Sequence, residues 1–268
     1  MSERDEQIMK ALGEHLREAG QYFEQYHIVG LFLQGSQNYG LEVPGSDIDT
    51  KLIVTPTFEE IAFNKKPVST THVRENNEHI DFKDIRLYIQ TFRKQNLNFL
   101  EILFTPFFIL NPLYEDEWER LVIHREAIAR YNLPQAIKSM RGIAHQKYYA
   151  MEHDYESKAA VLAQYGYDPK QLHHLLRVED YLERYIMGKS YEDCLHPTDP
   201  KYLIEVKLGK YGLDDARIEA DRAITHVDEM CDEFLKYCPT DVDKSVDGLL
   251  DDVQYNIMER SVRTELGI

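Results

Sequence analysis

Asp47 and Asp49 stand one residue apart, a short way after a Gly35-Ser36 pair, in the runs Leu33-Gln34-Gly35-Ser36-Gln37-Asn38-Tyr39-Gly40 and Gly45-Ser46-Asp47-Ile48-Asp49. Alternate side chains of a strand point to one side, so the two carboxylates can converge while Ile48 faces the core. Two hard oxygen donors on one side are what Mg²⁺ or Mn²⁺ takes when phosphate oxygens and water complete its shell. A Gly-Ser turn has the size to hold a phosphate. The combination reads as a metal-dependent nucleotidyl-transfer site. Neither piece alone is specific, since Gly-Ser turns occur in many loops and Ser-Asp-x-Asp also suits a helix cap.

The elements that would position these residues are legible around them. Ile28-Val29-Gly30-Leu31-Phe32-Leu33 has the apolar character of a buried strand, and Thr50-Lys51-Leu52-Ile53-Val54 has that of a second. Glu78-His79-Ile80-Asp81-Phe82 alternates, which predicts a strand with Asp81 on the side opposite Ile80 and Phe82. Asp81 is therefore the candidate third carboxylate, to bind metal and orient or deprotonate an attacking hydroxyl. Asp84 competes, but it immediately precedes the helical pattern Ile85 to Phe92, where an acid caps the helix and its dipole. Glu101, inside Phe99-Leu100-Glu101-Ile102-Leu103-Phe104, needs a cation such as Arg86 or Lys51, because an unpaired acid in an apolar run is costly.

Gly35, Ser36, Gly40, Ser46, Asp47 and Asp49 stand at the spacing Gly-Ser, three residues, Gly, five residues, Ser-Asp-x-Asp. This resembles the signature of the DNA polymerase β superfamily of nucleotidyltransferases, in its small bacterial and phage branch. The Asn96 to Pro106 stretch, with Glu101 between apolar residues, is similar to the same branch, and so is Gly166-Tyr167-Asp168-Pro169-Lys170 before a helix bearing His174 and Arg177. The chain departs from the commonest form at Asn38-Tyr39, where an Ala-Arg pair is frequent. The resemblance implies an α+β fold, a polymerase-β-like domain with a mixed sheet flanked by helices, followed by an all-helical domain. It implies that Asp47, Asp49 and Asp81 bind Mg²⁺ or Mn²⁺, and that Gly35, Ser36 and Ser46 hold an NTP. ATP comes first among these, although nothing in the sequence selects the base. Lys170, His174 and Arg177, at i, i+4 and i+7 of a helix, would add triphosphate or acceptor contacts; a solvated helix face or an interdomain salt bridge explains each of them singly almost as well. His173 reads instead as a core residue.

Composition bounds the partners. A formal charge of −16 over 268 residues argues against a surface that coats nucleic acid, whose contacts are driven by Lys and Arg. Local cations remain at Lys65-Lys66 and Arg93-Lys94, and Arg141, His145 and Tyr148 share a helix face suited to a base and phosphates. Cys194, Cys231 and Cys238 lack metal-ligand spacing and read as reduced thiols of a cytoplasmic protein. No stretch has membrane length, and no N-terminal signal is expected.

Two domains are expected, 1–113 and 114–268, divided at Asn111-Pro112-Leu113. Helical patterns cover 3–26, 115–130, 133–164, 169–187, 215–237 and 246–266, with a loop over Ser190 to Tyr202. The closing helices, unmatched by the resemblance, would pack the second domain or form a homo-oligomer contact. The acceptor hydroxyl is open: an RNA 3′ end, a protein or a small molecule. The alternative reading is a non-catalytic nucleotide-binding or antitoxin-like module that keeps the fold.

Overall fold

The computed structural model describes residues 2–22, 24–153 and 158–268. Phe23, counted above in the opening helix, and residues 154–157, within the pattern expected over 133–164, lie outside that set. In chain order the elements are α1 (Glu3–Tyr22), β1 (His27–Gln34), β2 (Asp49–Thr55), α2 (Phe58–Ala62), β3 (Ser69–Val73), β4 (His79–Asp84), α3 (Ile85–Arg93), α4 (Leu97–Leu100), β5 (Phe108–Leu110), α5 (Glu115–Ile123), α6 (Arg125–Arg130), α7 (Leu133–Ala150), α8 (Ala159–Tyr165), α9 (Pro169–Ile186), α10 (Tyr191–Leu195), α11 (Pro200–Lys207), α12 (Leu213–Tyr237) and α13 (Lys244–Leu266). The protein is α+β.

Contacts divide the chain into two compact units that do not follow a cut at residue 113. The first comprises Met1–Asn38, Gly45–Tyr131 and Val242–Ile268; the second comprises Tyr39–Pro44 and Asn132–Asp241. The difference is tertiary. Trp118 of α5 stacks on Phe32 of β1 with ring centroids 4.3 Å apart, and Arg93 of α3 binds Asp247 and Asp251 of α13. Both ties span distances in sequence that local periodicity does not register.

In the first unit the described strands form a five-stranded mixed sheet in the order β3-β4-β2-β1-β5, with β2 and β4 parallel and the other pairs antiparallel. One face buries Leu31, Leu33, Leu52, Val54, Ile80 and Phe82 against Ile8 and Leu12 of α1. Strand alternation sends Phe32, Asp49, Lys51, His79, Asp81 and Lys83 to the other face. The predicted side of Asp81 is the one observed. Asp84 is fully buried, caps α3 through the Arg86 N–H and pairs with the Arg86 guanidinium at 2.6 Å. Glu101 is buried, but Arg86 serves Asp84 and Lys51 serves Asp81, so the pairings expected for those two cations are not the ones formed.

The helical expectations hold in outline; the helix expected over 3–26 ends at Tyr22, and the one expected over 133–164 gives α7 and α8, with residues 151–153 outside both. The 115–130 pattern breaks at His124 into α5 and α6. The stretch around Pro197 and Pro200 is not all loop: Ser190 caps α10, and Asp199 caps α11 with Pro200 at its first turn, where a missing N–H is harmless. β3 and β5 were not predicted, for β3 is nearly all exposed and β5 has three residues. Among the described residues no helix is long and apolar enough to cross a membrane, and the three cysteines are free thiols.

His173 is buried in the second unit and its Nδ1–H donates to the Leu203 carbonyl at 2.8 Å. Burial pulls its pKa down to about 4, against the help of that hydrogen bond. Between that value and the ordinary imidazole range the unfolded chain holds the extra proton, so stability rises with pH and is lost as pH falls through the window. Lowering the pH from 7 to 5 should remove about 2 kcal/mol through His173 alone. Urea unfolding at the two pH values measures this, and His173→Gln should shrink the loss by about that amount.

Candidate active site

The Gly-Ser turn follows directly on β1. Gly35 has φ 89°, a left-handed backbone that a side chain would strain, and the next residues make a single 3-10 turn, Ser36–Asn38, in which the Asn38 N–H donates to the Gly35 carbonyl at 3.0 Å. Asn38, at the position where the resemblance has a different residue, pins the turn. Its Nδ2 donates to the Leu33 carbonyl at 3.1 Å, and its Oδ1 accepts from Thr105 Oγ1 at 2.7 Å. Thr105 also takes the Phe107 N–H, and the Phe107 carbonyl accepts the Leu33 N–H, so the turn is tied to the segment entering β5.

Gln34 lies opposite Asp49 in the β1–β2 register. That pairing sets the Gly35-Ser36 turn and the two aspartates at the same end of the sheet. Gly45 returns the chain with φ 83°, and Ser46 and Asp47 follow before β2 begins at Asp49. Ile48 packs against the α1 core as expected, leaving the flanking carboxylates outward. Asp47 is exposed and meets no hydrogen-bond or ion-pair partner among the described residues. The Asp49 Oδ1 accepts from the His79 N–H at 2.9 Å and faces His79 Nδ1 at 3.1 Å, while its Oδ2 has no such partner.

A buried network holds the backbone of the acidic segment. Glu78, just before β4, accepts the Ile48 N–H at 3.3 Å through Oε1 and binds His15 Nε2 and Arg74 through Oε2, at 2.9 and 2.6 Å. His15 Nδ1 in turn meets Thr50 Oγ1 at 2.9 Å. Burial lowers the pKa of His15, so it is neutral at pH 7; Nε2–H donates to Glu78 and Nδ1 accepts from Thr50. Burial works to raise the Glu78 carboxyl, yet hydrogen bonds from His15, Asn76 and the Ile48 N–H bring it below its ordinary value.

Asp81 faces the same side as Asp49, one strand over and opposite Lys51 in the parallel register. Lys51 Nζ lies 3.4 Å from Asp81 Oδ2 and 4.1 Å from the Phe99 ring centroid, with its side chain only 3% exposed. Lys83 Nζ approaches the same ring at 4.4 Å. Burial lowers the Lys51 pKa to about 8, opposed by the charges of Asp81 and Asp49, which leaves it cationic at neutral pH. Lys51 was expected as a structural partner and not as a member of the site. Its position two residues after Asp49 on a predicted strand was the available signal.

The hard donors that fit a divalent ion are Asp47 and Asp49 Oδ2, with phosphate oxygens and water to complete the shell. Asp81 joins their face with its carboxylate already bound to Lys51, and among the described residues no three of His, Cys, Asp and Glu gather into a ligand set.

Lys170, His174 and Arg177 belong to the second unit. Lys170 is exposed, and Arg177 stacks on the Tyr39 ring at 3.8 Å. His174 is kept neutral by burial and by the neighbouring positive charges of Lys147, Arg177 and Lys170. Lys147, on the face of α7 that also carries Met140 and Ala144, has its pKa lowered by burial and by repulsion from Lys158 and Lys170. A lysine at a core-facing helix position was the missed signal for this third cation, beside Lys170 and Arg177. The face of Arg141, His145 and Tyr148 is taken up within the unit: Arg141 and His145 bind Asp228, Arg141 also binds Asp232, and Tyr148 donates to Asp221, all on α12. That face packs against α12.

No protein-family model matches the chain, and no curated protein matches it.

Replacing Glu78 by Ala removes the acceptor for Ile48, His15 and Arg74 together. It should lower unfolding stability by about 2 kcal/mol, the range for stranding a buried polar partner, as read by urea denaturation at pH 7.

Proposed function

We propose that the protein is a metal-dependent nucleotidyltransferase with a polymerase-β-like first unit, moving an NMP from an NTP to an acceptor hydroxyl. The observation that carries this reading is the Gln34–Asp49 register, which puts a pinned Gly-Ser turn beside two outward carboxylates at one sheet end. In the reaction the acceptor oxygen forms a bond to the α-phosphorus, the bond from that phosphorus to the β-phosphate bridging oxygen breaks, and pyrophosphate leaves. A divalent cation held by Asp47 and Asp49 would offset phosphate charge and lower the pKa of the attacking hydroxyl. Gly35, Ser36 and Ser46 would hold the phosphates, and positioning with charge neutralisation supplies the acceleration. Within the second unit the positive charges of Lys147, Lys170 and Arg177 gather around His174, a grouping of a kind suited to a phosphate.

Incubation with each α-³²P-labelled NTP, Mg²⁺ or Mn²⁺, and pools of RNA, protein or metabolites tests the reading. Label should pass to one pool, and Asp47→Ala or Asp49→Ala should reduce transfer about 10³-fold with the fold retained. Transfer unaffected by either substitution defeats the site assignment. Tight NTP binding with no transfer to any pool makes the protein a binding module.

A further inference from the structure

Lys51 is the cation that the site already contains. It stands two residues after Asp49 on the same face of β2, so its ammonium is close to the one acid and in an ion pair with the other, 3.4 Å from Asp81 Oδ2. The side chain is 3% exposed, which fixes its conformation by packing, and its charge lies over the Phe99 ring at 4.1 Å. Tyr88, fully buried and in edge contact with Phe99, closes the same floor.

Two-metal sites place their cations about 3.5–4 Å apart and share carboxylates between them. A second ion at Asp81 would have to enter against a fixed positive charge already within ion-pairing distance of that carboxylate. The exposed donors lie elsewhere, at Asp47 and at the Oδ2 of Asp49.

We propose that the Lys51 ammonium takes the place of one of the two divalent cations, so that this face binds a single Mg²⁺ or Mn²⁺ at Asp47 and Asp49, with Asp81 reserved for the lysine. The inference rests on the metal-dependent reading above and deepens it. Asp81 is then a positioning residue that holds Lys51 and not a metal ligand. As a side chain held by Asp81 and Phe99, Lys51 is present before any nucleotide arrives.

The test is metal stoichiometry. Free Mn²⁺ is followed by electron paramagnetic resonance during titration of the full chain with α,β-methylene-ATP present. The expected result is one Mn²⁺ per wild-type chain, retained in Asp81→Asn with an affinity within about threefold. Two ions should bind to Lys51→Met, where Asp81 is released. Two ions on the wild type, loss of the ion in Asp81→Asn, or a single ion in a folded Lys51→Met would each overturn the inference. No retained Mn²⁺ on the wild type would overturn the metal reading itself and this inference with it. Circular dichroism checks the fold of both variants, and the wild-type count decides the question if neither folds.

Discussion

A lysine ammonium removed from water is stable only where its charge is met, and in this protein the meeting of Lys51 with Asp81 ties the sheet to its outer face. The pairing follows from the parallel register of β2 and β4, which sets the two residues opposite each other. The same register sends Leu52, Val54, Ile80 and Phe82 to the opposite face, where α1 covers them. A slip of β2 by one residue would put Lys51 into that apolar core, away from Asp81, and Leu52 and Val54 outside. The buried ammonium would then lack both its carboxylate and the Phe99 ring, so the charged face and the apolar face enforce one another's alignment. The turn at Gly35 and the carboxylate at Asp49 inherit their places from that alignment, because β1 pairs along the full length of β2.

The part of this arrangement legible in the sequence is the part governed by short-range pattern. β1, β2 and β4 announce themselves through apolar runs or alternation, and Asp84 through its place before an apolar helix. β3 does not, since Ser69 to Val73 sits at the sheet edge with almost every side chain exposed, and its register comes from β4 alone. The division of the chain was illegible for a similar reason. Nothing local in Lys244 to Leu266 marks that helix as a partner of α3, while Arg93 with Asp247 and Asp251 does so once the fold is known.

Shared helix faces carry a different ambiguity. Arg141, His145 and Tyr148 present the same spacing whether they meet a nucleotide or another helix, and Asp221, Asp228 and Asp232 on α12 decide for the helix. Lys170 and Arg177 have the same i, i+7 relation, yet Lys170 is exposed and Arg177 stacks on Tyr39. The discriminating quantity is the supply of complementary acids on the neighbouring element, which a single helix's pattern does not contain.

That supply also bears on how the net charge of −16 should be understood. Many of the acids are spent inside the structure: Asp247 and Asp251 on Arg93, Asp116 and Glu117 on Arg260, Asp228 and Asp232 on Arg141. Each of these sets brings two acids to one arginine and keeps a net charge of −1, so the pairing reduces the negative charge without removing its excess, which is felt at the surface. At physiological salt it is screened beyond about 8 Å, which penalises a long polyanion laid over the protein far more than a single group brought to one point. A nucleotide held through a few cations and a divalent ion is a point contact of that kind. On the proposed reading, an acceptor that offers one hydroxyl, on a protein or a small molecule, would meet the same low barrier, whereas an RNA would have to present its end and keep the remainder of its backbone clear of the surface.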